Sequence, residues 1–375
     1  MKNEAPRAKA RGLLNEILER PKRITALKGG VSRPRKYKNA IEHTQKIYTL
    51  RPEAKEFPMM CVISFTYVCN AYCKNCPYTN SSIRKSYSDK PFMPESTFKI
   101  IADQCSEYGA WIRISGGGEP LLHPQAVKLI CYAKNKGAKI GLITNGSMCN
   151  EETSRRLLEA SVDMIEFSVD AADAETYAEV RRGLNWDTLV ANVSKMVKLR
   201  DILKSETKII ASGINQIGVD IEKVENFWSR IVDNFQKRKY LTWGINDPSF
   251  SVDKTPYLPP QELIPCPFLF ERLNIDSRGK VMLCGFDIAA KTDMGNVHEE
   301  SIKEIWHGKG YQYYRKKHLE HKGLEVKLCS NCPDWKYRSW KHNYWKVVKN
   351  AERTRKERSG RLDYFDTEGY YADDK

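Results

Sequence analysis

From residue 58 onward, apolar stretches with strand-like and helix-like spacing alternate along the chain. MCVISFTYV (60–68) is an apolar run rich in β-formers, and PESTFKIIADQCSEYG (94–109) has helical spacing behind a start at Pro94 and Glu95. WIRISGGGEP (111–120) reads as a strand running into glycines. PQAVKLICYAKNKG (124–137) reads as a helix closed by Gly137. The order continues with a strand over 138–146, a helix over 151–162, a strand over 163–171, a helix over 186–204 and a strand over 207–215. A helix over 220–235 and a sixth strand over 239–246 complete it. Strands alternating with helices predict a parallel sheet with helical crossovers. Six strands in this length fit an α/β fold of partial (β/α)6 TIM-like barrel type, in which chemistry gathers at the C-terminal strand ends.

The outer segments differ in character. Residues 1–57 form a basic extension, with a short amphipathic pattern over 10–19. The barrel takes 58–250, a Pro- and Ser-rich linker opens a Cys-bearing segment over 251–340, and a basic helix and polar tail fill 341–375. RLNIDSRGKVMLCG (272–285) predicts a hairpin turning at Ser277, Arg278 and Gly279. The net charge is +15, and residues 1–55 hold fifteen Lys and Arg against five Glu. That arm suits a solvated surface or contact with a polyanion. No apolar run is long enough to span a membrane, and the N-terminus lacks the apolar middle of a signal peptide, so a cytoplasmic protein is expected. Eleven cysteines without a secretion signal argue for metal or redox use over disulfides.

Cys69, Cys73 and Cys76 stand as C-x3-C-x2-C directly after the first strand. Three thiolates can hold three irons of a cubane and leave the fourth open to an outside ligand; on spacing alone, a zinc site short of one ligand is equally open. In its order of motifs the chain resembles the radical S-adenosylmethionine (SAM) superfamily over about 58–250. The resemblance implies that the triad binds a SAM-cleaving [4Fe–4S] cluster. It also implies that the turn Gly116, Gly117, Gly118, Glu119 and Pro120 faces the SAM amino group. Thr144, Asn145 and Gly146 match a Thr-Asn-Gly turn after the third strand. Ser168 and Asp170 match a Ser-x-Asp end to the fourth, near ribose and carboxylate. Arg181 and Arg182 lie where the family often places a carboxylate-binding arginine. Where many members carry an aromatic residue before the third cysteine, this chain has Asn75, so the adenine is expected on the backbone there, on Tyr72 or on Ile214.

Cys266, Cys284, Cys329 and Cys332 follow as C-x12-G-x4-C and then C-x2-C. Four thiolates suit zinc or a [4Fe–4S] cluster. The segment resembles the SPASM domain in its shorter twitch form, which implies one auxiliary [4Fe–4S] cluster, fully ligated and able to carry electrons. Of the other cysteines, Cys61, Cys105 and Cys131 read as packing. Cys149, close after the Thr-Asn-Gly turn, is a candidate hydrogen donor, and Asp247, placed at the end of the sixth strand with Trp243 and Asn246, is a candidate base.

The resemblance implies a one-electron donor such as flavodoxin or ferredoxin, and a radical that takes hydrogen from an unreactive carbon. The expected substrate is a small polar molecule, a sugar, nucleotide sugar or aminocyclitol, dehydrogenated or epimerised by an oxidoreductase. The alternatives are a maturase of a ribosomally made peptide and an RNA-directed binding role.

Overall fold

The structure is a computed structural model that describes residues 54–243, 248–252, 263, 265–288, 291–332, 335 and 344–358. The basic N-terminal extension up to residue 53, Asn246, Asp247 and the tail beyond 358 lie outside the described residues. Among the described residues, no helix is long and apolar enough to cross a membrane.

The strands are β1 (Met60–Ile63), β2 (Trp111–Ile114), β3 (Lys139–Thr144), β4 (Met164–Ser168), β5 (Lys208–Asn215) and β6 (Asn234–Lys239), followed by β7 (Arg272–Ile275) and β8 (Val281–Met282). They form one sheet in the order β6-β5-β4-β3-β2-β1-β7-β8. Every pairing is parallel except β7 with β8, which is the expected hairpin. Among the described residues the sheet is open, with β6 at one edge and β8 at the other.

The crossover helices are α1 (Glu95–Glu107), α2 (Ala126–Asn135), α3 (Glu151–Glu159), α4 (Ala174–Val180), α5 (Trp186–Ile202) and α6 (Ile221–Trp228). Asn150, Asp173, Asn185 and Asp220 start four of them by accepting a backbone N–H of the first turn. Their buried residues, such as Phe98, Leu129, Leu157, Val193 and Trp228, share one core with Ile63, Ile114, Leu142, Phe167 and Ala211 of the strands. All crossovers therefore cover one sheet face, as in a barrel and unlike a doubly wound sheet. Strand alternation turns Val62, Arg113, Glu166, Ser212 and Asn274 to the opposite, inner face. The end of that face near the strand starts is packed by α9 (Tyr344–Arg358), which follows α7 (Ile302–His307) and α8 (Lys309–Leu319). Val347, Val348 and Ala351 of α9 cluster there with Met60, Met164 and Ile210.

Three expectations need correction. The helix predicted over 220–235 ends at Trp228, and the sixth strand is Asn234–Lys239, not 239–246. Asp233 sets the start of that strand. Its N–H donates to Ile209 O at 2.8 Å, and its carboxylate takes the Ile209 N–H at 2.7 Å and Arg200 at 2.6 Å. Trp243 thus lies beyond the strand, with φ of 53°, and packs on Phe286 at 4.8 Å between centroids. The hairpin, expected in a separate segment, extends the barrel sheet by pairing β7 with β1.

Candidate functional site

The loop after β1 carries Cys69, Cys73 and Cys76, and it is held from two sides. Gly118 comes so close that a Cβ there would sit 2.0 Å from Val68 O, and a Cβ on Gly117 would sit 2.4 Å from Thr66 O. Only glycine lets the turn after β2 lie against the cysteine loop. The Glu119 N–H then donates to Val68 O at 2.9 Å. From the β4 side, the Tyr72 N–H donates to Arg182 O and the Lys74 N–H to Val180 O.

Glu119 joins two of the expected turns. Its buried carboxylate accepts the Thr144 hydroxyl at 2.7 Å, the Asn145 N–H at 2.7 Å and the Leu121 N–H at 3.1 Å. Burial pushes its pKa up, against these donors and Arg181. Asn145 reaches on to Asn70, beside Cys69, at 2.9 Å. Across the loop, Arg181 pairs with Asp170 at 2.7 Å and points a second nitrogen at Cys73 Sγ, 3.6 Å away. Asp170, with φ of 53°, also accepts the Ile214 N–H at 2.7 Å. Asn75 donates to Gln216 Oε1 at 3.3 Å, which ties the third cysteine's neighbour to the end of β5; Gln216 Nε2 is buried without a partner.

The structure therefore gathers Glu119, Thr144, Asn145, Asp170, Arg181, Asn75 and Ile214 around the triad. Ser168 is half-buried at the end of β4. Tyr72 and Arg182 are exposed on the outer side of the loop, where Arg84 lies 5.0 Å over the Tyr72 ring. Cys149 is 1% exposed and packs in the helix-facing core, within reach of Thr144. Asp247 is outside the described residues. Cys61 and Cys105 are buried neighbours in the same core. His123 is structural, bonded to Met93 O and the Gln125 N–H and stacked on Phe65.

Cys69 and Cys76 are pushed up by burial and then by the other thiols of the triad, Cys76 to about 11. The sulfurs are thus close enough to repel as thiolates, which is a donor set that a cationic cluster would relieve. Cys266, Cys284, Cys329 and Cys332 line one apolar cavity with Leu283 and Phe286. Burial and mutual repulsion raise Cys284 and Cys329 strongly. Among the described residues, no three His, Cys, Asp or Glu converge as tightly as one bare metal ion needs. At the second site the four thiols share one cavity, a donor set of the kind that holds an iron–sulfur cluster or zinc. His318 reaches this cavity as well, donating to or accepting from Cys329 Sγ at 3.4 Å, and burial lowers its pKa to about 4.

Sequence reasoning passed over the inner-face charges. Glu166 is 1% exposed and pairs with Arg238 of β6 and, at 3.5 Å, with Arg113 of β2; Ser212 donates to it at 2.7 Å. Burial opposes ionisation, but the two arginines outweigh it and hold the carboxyl below its usual range. The Glu166 oxygen facing Arg113 makes that ion pair but no hydrogen bond, and the Asn274 amide nitrogen is buried without a hydrogen-bond partner. Charges at alternate positions of apolar strands, as in WIRI and MIEFS, were the available signal.

Residues 63–227 match the family described as the radical SAM superfamily, and residues 266–333 match SPASM, an iron–sulfur cluster-binding domain. The chain is 29% identical over 159 residues to molybdenum cofactor biosynthesis protein 1 of Dictyostelium discoideum, covering 42% of this chain and 25% of that one. It is 28% identical over 124 residues to the AdoMet-dependent heme synthase of Methanosarcina barkeri, covering 33% and 34%. The chain thus spans a quarter to about a third of the length of these curated relatives. Among solved structures, SuiB of Streptococcus suis bound to S-adenosylmethionine superposes with a TM-score of 0.56 at 16% identity, over 83% of this chain and 78% of that chain. The protein anSMEcpe with bound AdoMet gives 0.52 at 18%, over 80% and 97%. At these identities the likeness is one of fold.

Proposed function

Because this chain belongs to the radical SAM superfamily and carries a C-terminal iron–sulfur cluster-binding domain, we propose that it is an oxidoreductase acting on a small polar substrate held against the inner face of the sheet. Cys69, Cys73 and Cys76 hold the SAM-cleaving [4Fe–4S] cluster, and Cys266, Cys284, Cys329 and Cys332 hold one auxiliary cluster. When bound, the first cluster and SAM supply reductive cleavage of SAM to a 5′-deoxyadenosyl radical, with an electron from a flavodoxin- or ferredoxin-like donor.

The chain's own residues do the rest. Gly117 and Gly118 let backbone approach the cluster loop. Glu119 presents a buried carboxylate to the amino group of SAM, fixed by Thr144 and Asn145. Asp170 and Arg181 form a rigid pair beside Cys73 that orients the ribose and carboxylate end. A four-thiolate set leaves no iron open, which suits electron transfer and not substrate binding.

The observation that carries the substrate reading is the inner-face set of Arg113, Glu166, Arg238 and Asn274, of which Glu166 and Asn274 are buried. The Asn274 amide nitrogen lacks a hydrogen-bond partner and one Glu166 oxygen has only its 3.5 Å ion pair with Arg113, and buried polar groups are costly unless a ligand or water satisfies them. Hydroxyls of a sugar or aminocyclitol would do so. Loss of one hydrogen atom, one electron and one proton turns such a carbinol into a carbonyl.

The test is anaerobic turnover with reductant, SAM and a panel of sugars, nucleotide sugars and aminocyclitols, each deuterated at its carbinol carbons. Deuterium in 5′-deoxyadenosine, matched by a ketone product, is the expected result. Turnover only with a peptide would replace this reading with the maturase.

A further inference from the structure

The imidazole of His318 bridges the backbone of one cysteine of the second site and the sulfur of another. Its Nδ1 lies 3.2 Å from the backbone nitrogen of Cys266. A backbone N–H can only donate, so Nδ1 is the acceptor and carries no proton. In a neutral ring the proton is then on Nε2. Nε2 lies 3.4 Å from Cys329 Sγ, so His318 donates to that sulfur. The ring cannot turn away easily. Trp335 meets it edge-on at 4.4 Å between centroids. A Cβ on Gly323 would sit 2.6 Å from the Trp335 ring and 3.0 Å from His318 Cε1, so the packing there is closed. His318 itself is 1% exposed and lines the same apolar cavity as the four cysteines.

We propose that His318 is a positioning residue of the auxiliary cluster, a fixed N–H donor to the Cys329 sulfur that raises the cluster's reduction potential. The proposal rests on the assignment of Cys266, Cys284, Cys329 and Cys332 to an iron–sulfur cluster. A hydrogen bond to a cluster sulfur favours the more negative, reduced state, and the apolar lining of the cavity strengthens the effect. A cluster tuned upward takes an electron from a substrate-derived radical more readily, which is the direction that a dehydrogenation needs.

The experiment uses full-length protein in which Cys69, Cys73 and Cys76 are Ala, so that only the auxiliary site is loaded. Iron content and an EPR redox titration are read for His318, His318→Leu and His318→Gln. Leucine removes both hydrogen bonds, whereas glutamine offers an oxygen to the Cys266 N–H and an N–H to Cys329. The expected result is about a tenfold shift toward the oxidised cluster at fixed potential in the Leu variant, about 59 mV for one electron, with recovery in the Gln variant. An intact cluster with an unshifted potential in His318→Leu overturns the proposal.

Should His318→Leu fail to hold iron, the parent protein decides, labelled with 15N-histidine. A weak 15N coupling to the reduced cluster supports a hydrogen bond. No coupling refutes it, and a strong coupling replaces it with direct ligation. Absence of iron in the parent itself would instead sink the assignment of the four cysteines, a different failure.

Discussion

Replacing Gly118 with Ala tests how the triad is held. The added Cβ would sit 2.0 Å from Val68 O, 2.6 Å from Val68 C and 2.9 Å from Val68 N. All three are backbone atoms of the residue before Cys69, so no side chain can swing aside. The turn and the loop must part by roughly 1 Å or more in an interior that packs like a crystal. Such overpacking costs about 1–3 kcal/mol. Losing the bond from the Glu119 N–H to Val68 O adds about 1 kcal/mol. A misplacement of that size at a reacting centre costs on the order of 100-fold in rate. The control is Gly109→Ala, where φ is +62° and nothing lies within 4 Å; it carries only a backbone strain of about 1–2 kcal/mol. Urea midpoints, iron content and the dithionite-driven rate of 5′-deoxyadenosine formation are measured side by side. Gly118→Ala is expected to lose iron retention and SAM cleavage, and Gly109→Ala only stability. SAM cleavage within a few-fold of wild type in Gly118→Ala would refute the reasoning.

Removing Arg181 as Arg181→Ala leaves the fully buried Asp170 carboxylate without its cation. The expected loss of about 3–5 kcal/mol is read from denaturant unfolding, and a loss under about 1 kcal/mol would show that the pair is not what stabilises this corner. Glu166 titrates below its usual range, so its contribution to stability is present above the ordinary carboxylate pKa and disappears as pH falls through the depressed one. The stability gap between wild type and Glu166→Gln should therefore narrow on acidification from pH about 6 to about 3; a constant gap contradicts the ion-pair account. Cys329→Ala with Cys332→Ala should keep substrate-independent formation of 5′-deoxyadenosine but stop formation of the oxidised product. Wild-type product formation in that variant would remove the second site from the chemistry.

The central strands and the turns at their ends were readable because buried parallel strands are short apolar runs and the tight turns need glycine. MCVISF, GLIT and MIEFSV announce themselves, and Gly117 and Gly118 stand where backbone meets backbone. The sixth strand was misread because NFQKRK is an edge strand with mostly polar side chains, while the more apolar stretch that begins at Tyr240 drew the strand reading. The pairing of β7 with β1 joins residues more than 200 positions apart, and nothing local encodes it. The same holds for α9 against the base of the inner face, where Val347, Val348 and Ala351 meet Met60 and Met164. At the site, the cysteine spacings marked two metal-binding sets, and the order of motifs around the first, not the spacing, favoured a cluster over zinc. His318 gave no signal, since a lone histidine acquires meaning only from a contact 52 residues away. Cys149 looked like a rim residue by its place after Gly146, yet the chain turns it into the core.

The central claim is that two separate cysteine sets hold two clusters. Iron and sulfide are therefore quantified after anaerobic reconstitution, in wild type beside the variant with Cys69, Cys73 and Cys76 changed to Ala. Two cubanes predict about eight irons per chain falling to about four. Iron that does not fall when the triad is removed, or no iron in either protein, would contradict the account.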